Sequence, residues 1–425
     1  MAAITGLDRP EDSTLKPASD APDFPSDFLW GCATAAHQVE GGNFNNDWWA
    51  FEHSPSTAAR ESSGDGIDQF HRYAEDFALL KALRHNTHRL SLEWSRIEPA
   101  PGEFSQSAIA HYRRVLTELA DAGLVGFVTL HHFTLPAWFA ERGGWLAPDA
   151  IATFERYCRV VTAELGDLMP YVCTINEPQM IALHGYLEGY HPPGVANPIL
   201  WRRVGRVLLE AHQAAVRAVR DCAPSARAGL AVQLPLLAPA RSDDTTRTFC
   251  AAMRAEIVDL YLDGLSGADR GDWLGVQYYR KQWVDTASPT LFAPPPAGTQ
   301  VTQMGWAVFP EGLRLMLHRA AETGLPLFVT ENGIATDDDV ERIDYIESHL
   351  YALAQARREG VDIRGYIHWS GFDNFEWSEG YGPKFGIVAV DREHGFARTP
   401  KPSAYAYARV AASGRISALR HKHSC

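Results

Sequence analysis

The sequence predicts an α/β chain folded as a single (β/α)8 TIM barrel with elaborated βα loops. Three observations predict it. Eight short apolar, β-rich runs alternate with segments of helical periodicity from Asp27 onward. Most of those runs are apolar on both faces, as parallel strands covered by helices should be. No break in composition divides the alternation into separate units. The chain has 425 residues, 46% of them hydrophobic, enough for a large core. A prior of about 150 residues per domain would allow up to three domains, but α/β barrels run long as one. The reading is a disordered leader over 1–22, the barrel over 23–415 and a C-terminal tail over 416–425.

The leader, Met1 to Pro22, is rich in Pro, Asp, Ser and Ala. The predicted strands follow as Phe28–Cys32, Thr87–Leu92, Gly126–Leu130, Tyr171–Ile175, Ala228–Val232, Trp273–Val276, Leu327–Thr330 and Tyr366–Trp369. Between the second and third, Ile109, Tyr112, Leu116 and Leu119 fall at helical spacing, with Gly123 as a stop. Between the third and fourth, Ile151, Phe154, Cys158, Val161 and Leu165 repeat the pattern behind Asp149, a predicted N-cap. Before the last strand, Ile346, Leu350 and Leu353 mark a helix ending at Gly360. Thr286 to Thr302, rich in Pro, Ala and Thr, reads as a long surface loop near the barrel mouth. A doubly wound sheet is the alternative fold. It usually carries a Gly-rich phosphate loop after its first strand, whereas this chain has Ala33-Thr34-Ala35-Ala36-His37-Gln38 there.

Composition excludes some functions. The net charge of −13 disfavours nonspecific binding to nucleic acid or anionic membranes. No run approaches the roughly 18 apolar residues of a membrane span, and no basic flank leads into an apolar stretch as in a secretory signal. The six cysteines, Cys32, Cys158, Cys173, Cys222, Cys250 and Cys425, include no Cys-x-x-Cys pair. Reduced thiols in a cytoplasm are the expectation, with no metal site. The tail His421-Lys422-His423-Ser424-Cys425 reads as a frayed end rather than a metal ligand. Homo-oligomerisation is left open.

Barrel enzymes carry their chemistry at the C-terminal ends of strands. The fourth run leads into Thr174-Ile175-Asn176-Glu177-Pro178 and the seventh into Thr330-Glu331-Asn332-Gly333. Strands four and seven lie on opposing sides of an eight-stranded ring, so the two carboxyls can face each other. Opposed carboxyls are what glycoside cleavage requires: one protonated to assist the departing oxygen, one ionised to attack the anomeric carbon. Separated by about 5–5.5 Å, they form a covalent glycosyl-enzyme and retain configuration. Either triplet alone is ordinarily just a loop. The pair at matching strand ends gives Glu177 and Glu331 their candidacy.

Further motifs extend the pattern: Phe28-Leu29-Trp30-Gly31-Cys32-Ala33-Thr34, Gln38-Val39-Glu40-Gly41, Arg89-Leu90-Ser91-Leu92-Glu93-Trp94-Ser95-Arg96 and Asp373-Asn374-Phe375-Glu376-Trp377. With the two carboxyl motifs, and in this order, the chain resembles glycoside hydrolase family 1, the β-glucosidase and β-galactosidase family, from about Phe24 to about Ala406. The resemblance implies a barrel with retaining chemistry, Glu177 as acid/base, Glu331 as nucleophile, and no cofactor. It implies a small β-glycoside as substrate, a glucoside, galactoside or fucoside. It places Gln38, His132, Asn176, Trp369 and Glu376 around the sugar, Arg89 beneath the nucleophile and Tyr279 as its hydrogen-bond donor.

The chemistry of these residue types agrees. Gln and Glu make paired contacts to adjacent hydroxyls. Trp369 and Trp377 offer apolar faces to a sugar's C–H side. A cation and a phenol both lower the pKa of a carboxyl, so Arg89 and Tyr279 should hold Glu331 ionised while Glu177 stays protonated. A lone His in Leu130-His131-His132-Phe133 is ordinarily structural. The position of His132 at the third strand's end assigns it to the ligand, and His131 to the core. Trp30, Trp48, Trp49 and Trp94 read as packing.

Three positions depart from the family pattern. Phe133 stands where Trp is usual after the sugar-binding His, Gln277 where Asn is usual two before the Tyr, and Val172 where Trp is common. Phe133 removes an N–H donor beside the sugar. Gln277 adds a methylene near the nucleophile. These departures bear on substrate rather than reaction type. A phosphorylated-sugar specialist is disfavoured because Glu376 and Trp377 remain, and Glu376 would repel a 6-phosphate. A transglycosidase using the same intermediate and a catalytically silent sugar-binding relative are the remaining alternatives.

Overall fold

The computed structural model describes residues 22–288 and 290–420. Eight parallel strands close into a barrel in chain order: β1 (Leu29–Ala33), β2 (Thr87–Ser91), β3 (Val125–His131), β4 (Tyr171–Asn176), β5 (Arg227–Gln233), β6 (Trp273–Gln277), β7 (Leu327–Glu331) and β8 (Ile363–His368). The ring shuts where β1 pairs with β8, from Leu29 opposite Gly365 to Cys32 opposite His368. The doubly wound alternative is thereby excluded, since an open sheet has two edges.

The periodic segments are helices over Gln106–Asp121, Ala150–Leu165 and Asp339–Arg358. Gly123 and Gly360 follow the first and third at φ +71° and +99°, the left-handed conformation that stops a helix at little cost. Asp149 occupies the N-cap position of the second. Its carboxylate accepts from Arg142 at 2.6 Å and makes no cap bond to the backbone. Strand β8 starts three residues earlier than predicted and stops before Trp369. Exposed Arg364 hid its start, because only one face of that end is covered.

The leader lies outside the described residues except for Pro22. Residues 416–420, assigned by the sequence to the tail, instead form a short 3-10 helix with Ile416 and Leu419 buried. Arg420 ties it to Asp344 at 2.7 Å. Residues 421–425 lie outside the described part.

Side chains from β3, β4, β6 and β7 fill the lower barrel. Phe127 stacks on Tyr171 with ring centroids 4.3 Å apart and meets Phe328 at 5.1 Å. Trp273 closes the layer 5.8 Å from Phe328. A Cβ on Gly229 would lie 2.3 Å from the Trp273 ring, so only glycine fits beside it. The bottom is therefore solid, and the site is confined to the mouth.

Two small sheets escaped the sequence reading. Val388–Asp391 and Ala397–Pro400 form a hairpin. At the rim, Lys281–Val284 pairs with both Leu236–Pro239 and Phe292–Ala293. Phe292–Ala293 lies inside the segment read as a loop. These strands are short and partly exposed, so neither length nor apolar runs mark them.

Candidate active site

Glu331 is the last residue of β7. Two residues on, a Cβ at Gly333 would fall 1.7 Å from the Trp369 carbonyl oxygen. Glycine there lets the β7 loop pass under the backbone of Trp369, whose N–H donates to the Asn332 carbonyl at 3.0 Å. Glu177 directly follows β4 at φ +46°, and its N–H donates to the Ala231 carbonyl at 2.8 Å. Pro178 then opens a helix over Pro178–Ala182. Phe133 (φ +70°) and Trp377 (φ +52°) share this left-handed conformation. Such conformations cost energy for residues with side chains and persist where the surroundings hold them.

Ten of the eleven residues singled out from sequence line one cavity of about 240 Å³: Gln38, His132, Phe133, Asn176, Glu177, Tyr279, Glu331, Trp369, Glu376 and Trp377. The eleventh, Arg89, is buried on β2 and donates to Glu331 Oε1 through Nη1. Its Nη2 donates to Asn176 Oδ1 at 2.5 Å. The Tyr279 hydroxyl donates to Glu331 Oε2 at 2.5 Å. Both oxygens of Glu331 thus accept charged or phenolic donors.

Glu177 has different company. Its Oε1 accepts from Gln277 Nε2 at 2.7 Å. The Thr330 hydroxyl donates to Gln277 Oε1 at 3.3 Å, which orients the amide. Gln277, read from sequence as a neighbour of the nucleophile, therefore binds the opposite carboxyl as well.

Burial pushes the Glu177 carboxyl well above the usual range, and the charge of Glu331 adds to the rise; Arg89 and Gln277 oppose it. Burial also raises Glu331, against the pull of Arg89 first and then Tyr279. The sequence expects Arg89 and Tyr279 to hold Glu331 ionised by lowering its pKa. Both act in that direction, but desolvation outweighs them. The difference between the two carboxyls survives, since only Glu331 has a cation and a phenol on its oxygens. Of a single negative charge, Glu331 takes the larger share.

Around Glu376 the cavity presents polar groups and no full cation. Glu376 is raised to about 8 by burial and by Glu331, with Trp369 and Gln38 opposing. His132 is pushed well below its ordinary value by burial, then by Arg89 and His131, so it is a neutral imidazole. Gln38 Nε2 donates to the Phe375 carbonyl at 2.7 Å and to Glu376 Oε2 at 3.4 Å. Gln38 Oε1, His132 Nδ1 and Gln233 Oε1 are buried without partners among the described residues. Buried polar atoms are rarely left so, and a ring of sugar hydroxyls would satisfy them. The Trp369 and His132 rings lie nearly parallel at 6.2 Å. Trp48, read as packing, supports Trp377 from behind at 4.6 Å.

The cavity also includes residues not read from sequence, among them Tyr190, His191, Gln233, Arg280 and Trp306. Gln233 ends β5, and the rule that site residues stand at strand ends would have found it. The others come from loops whose course the sequence does not specify.

A solid-bottomed barrel whose mouth holds two buried, unequal carboxyls and a ring of unsatisfied polar atoms is the architecture of a glycoside hydrolase. Sequence comparison narrows the class. The profile of glycosyl hydrolase family 1 matches residues 21–264 and 261–415, and the chain belongs to that family. It is 32% identical to β-glucosidase A of Thermotoga maritima over 91% of this chain and 97% of that protein. It is 33% identical to a bifunctional β-D-glucosidase/β-D-fucosidase of Bifidobacterium breve, covering 87% and 94%. A solved β-glycosidase from Pyrococcus horikoshii superposes with a TM-score of 0.87 at 35% identity, covering 94% and 98%.

Proposed function

We propose that this chain is a retaining β-glycosidase that releases terminal, non-reducing β-linked glucose, and also fucose or galactose, with Glu331 as nucleophile and Glu177 as acid/base. The observation that carries this reading is the inequality of the two carboxyls within one cavity. Arg89 and Tyr279 favour the anion on Glu331. Glu177, beside that anion, stays protonated and gives its proton to the departing oxygen. The bond to the aglycone breaks as the Glu331 ester forms, and an alcohol leaves. The ester is uncharged, so Glu177 loses its repulsive neighbour and ionises more readily. It then takes a proton from water, the water oxygen attacks the anomeric carbon, and Glu331 departs as carboxylate. Two inversions leave the β configuration intact.

The relatives' names, β-glucosidase and bifunctional glucosidase/fucosidase, support a glucoside as the first substrate to test. At about 8, Glu376 is mostly protonated at neutral pH. Charge repulsion is then weaker ground against a 6-phosphate than the sequence suggests. What disfavours a 6-phosphate is burying a dianion beside Gln38, Glu376 and Trp377, none of which is cationic. Faster cleavage of a 6-phosphoglucoside than of the plain glucoside would overturn this choice. A cytoplasmic location belongs to the same proposal. It is supported by the five described cysteines, all free. Among the described residues, no helix is long and apolar enough to cross a membrane.

Azide tests the two roles separately. With Glu331→Ala, azide can displace the aglycone once and should give the α-glycosyl azide. With Glu177→Ala, azide should intercept the glycosyl-enzyme and give the β-glycosyl azide. Exchanged products, or full activity of either variant on an alkyl glucoside, would refute the assignment.

A further inference from the structure

An outer chamber of about 780 Å³ adjoins the catalytic cavity and shares Arg280, Met304 and Trp306 with it. The residues assigned to the sugar, Gln38, His132 and Glu376, line the inner cavity only. A sugar seated there with its leaving oxygen at Glu177 directs its aglycone outward, past Arg280.

The outer chamber is lined by two cations, Arg280 and Lys281, and by no acidic side chain, in a chain of net charge −13. Both cations stand where the rim sheet begins. Among the described residues neither has a carboxylate partner. The Arg280 guanidinium lies over the Trp306 ring at 4.7 Å, and its Nε is buried without a hydrogen-bond partner. The Lys281 ammonium lies over Phe309 at 4.8 Å and Trp283 at 5.3 Å. Aromatic faces hold a cation in place without neutralising it. Close by, Arg241 is neutralised by Asp285 at 2.9 Å. Glu188 and Glu177 attract Arg280 only through space. Each has another donor, His184 at 2.6 Å and Gln277 at 2.7 Å.

We propose that the outer chamber is an aglycone subsite selective for leaving groups that bear a carboxylate, with Arg280 as the principal contact and Lys281 as the second. The proposal rests on the glycosidase reading above. An arginine fork suits a carboxylate through two parallel hydrogen bonds, and the Trp306 face behind it suits a planar aglycone.

The test compares kcat/KM for 4-carboxyphenyl β-glucoside and 4-carbamoylphenyl β-glucoside, which share a shape and differ in charge. The ratio between them is measured for the wild type, Arg280→Gln, Arg280→Lys and Lys281→Gln. General damage to the site cancels in that ratio, and the difference in leaving-group chemistry cancels when the ratio is compared between variants. Arg280→Gln should lower it on the order of tenfold. Arg280→Lys should retain part of the preference, Lys281→Gln should lower it by a smaller factor, and added salt should erode it in the wild type. A ratio that is the same in wild type, Arg280→Gln and Lys281→Gln overturns the proposal. Cleavage of neither glucoside by the wild type would instead bring down the glycosidase reading, and this proposal with it.

Discussion

Replacing Tyr279 by Phe isolates one hydrogen bond of the mechanism. The hydroxyl donates to Glu331 Oε2 at 2.5 Å, and both groups are buried. Hydrogen bonds to charged groups contribute about 1.5–3 kcal/mol. The bond helps most when Glu331 carries full charge, and that charge reappears as the ester breaks. Losing the donor should therefore slow deglycosylation by about 10- to 150-fold, the upper figure applying if the charge is fully developed in the transition state. Glycosylation consumes the charge, so it should be slowed less. With an activated aryl glucoside, for which deglycosylation limits turnover, kcat and KM should fall together while kcat/KM changes less. The acid limb of the pH profile should move to higher pH, because the donor favours the ionised form. The phenyl ring retains its packing against Trp306 at 5.4 Å and Phe385 at 6.2 Å, so thermal unfolding checks that the site is intact. A fall in kcat with unchanged KM, or an acid limb that stays where it was, would refute the role given to this bond.

The wild-type kcat/KM should be bell-shaped, rising as Glu331 ionises and falling as Glu177 does. Burial raises both groups, so both limbs should lie above the ordinary carboxylate range, and a flat profile would contradict this. Gln277→Met removes a donor that lowers both carboxyls, so both limbs should shift upward, with Gln277→Asn as the variant for rescue. Away from the site, Asp76 and Arg398 form a buried ion pair at 2.7 Å. Asp76→Ala strands the guanidinium and should cost about 3–5 kcal/mol, read as a lowered denaturation midpoint. A midpoint within error of the wild type would show that water or another acid replaces Asp76.

Two kinds of signal made the fold and much of the cavity legible. Apolar runs of strand length report burial on both faces, which only a covered parallel sheet provides. A carboxyl, amide or aromatic placed just past such a run inherits the position of the strand end. That is how Glu331, at the end of β7, and His132, one past β3, could be assigned to the mouth in advance. Residues on loops inherit nothing of the kind. Tyr190, Arg280 and Trp306 reach the cavity along paths set by turns and by a rim sheet too short to mark itself. Strand β8 shows the same limit on a smaller scale, since one exposed arginine hid its first three residues from an apolar search.

The linear sequence by itself determined the alternation of strands and helices, the two carboxyl motifs and the family resemblance, because all of these are local patterns or their order. Only the tertiary structure decided that desolvation outweighs Arg89 at Glu331, that Gln277 reaches Glu177, and that two unneutralised cations share a chamber beyond Trp306. Those are through-space facts. They depend on which distant residues share a few ångströms of low-dielectric interior, and no spacing along the chain encodes that distance.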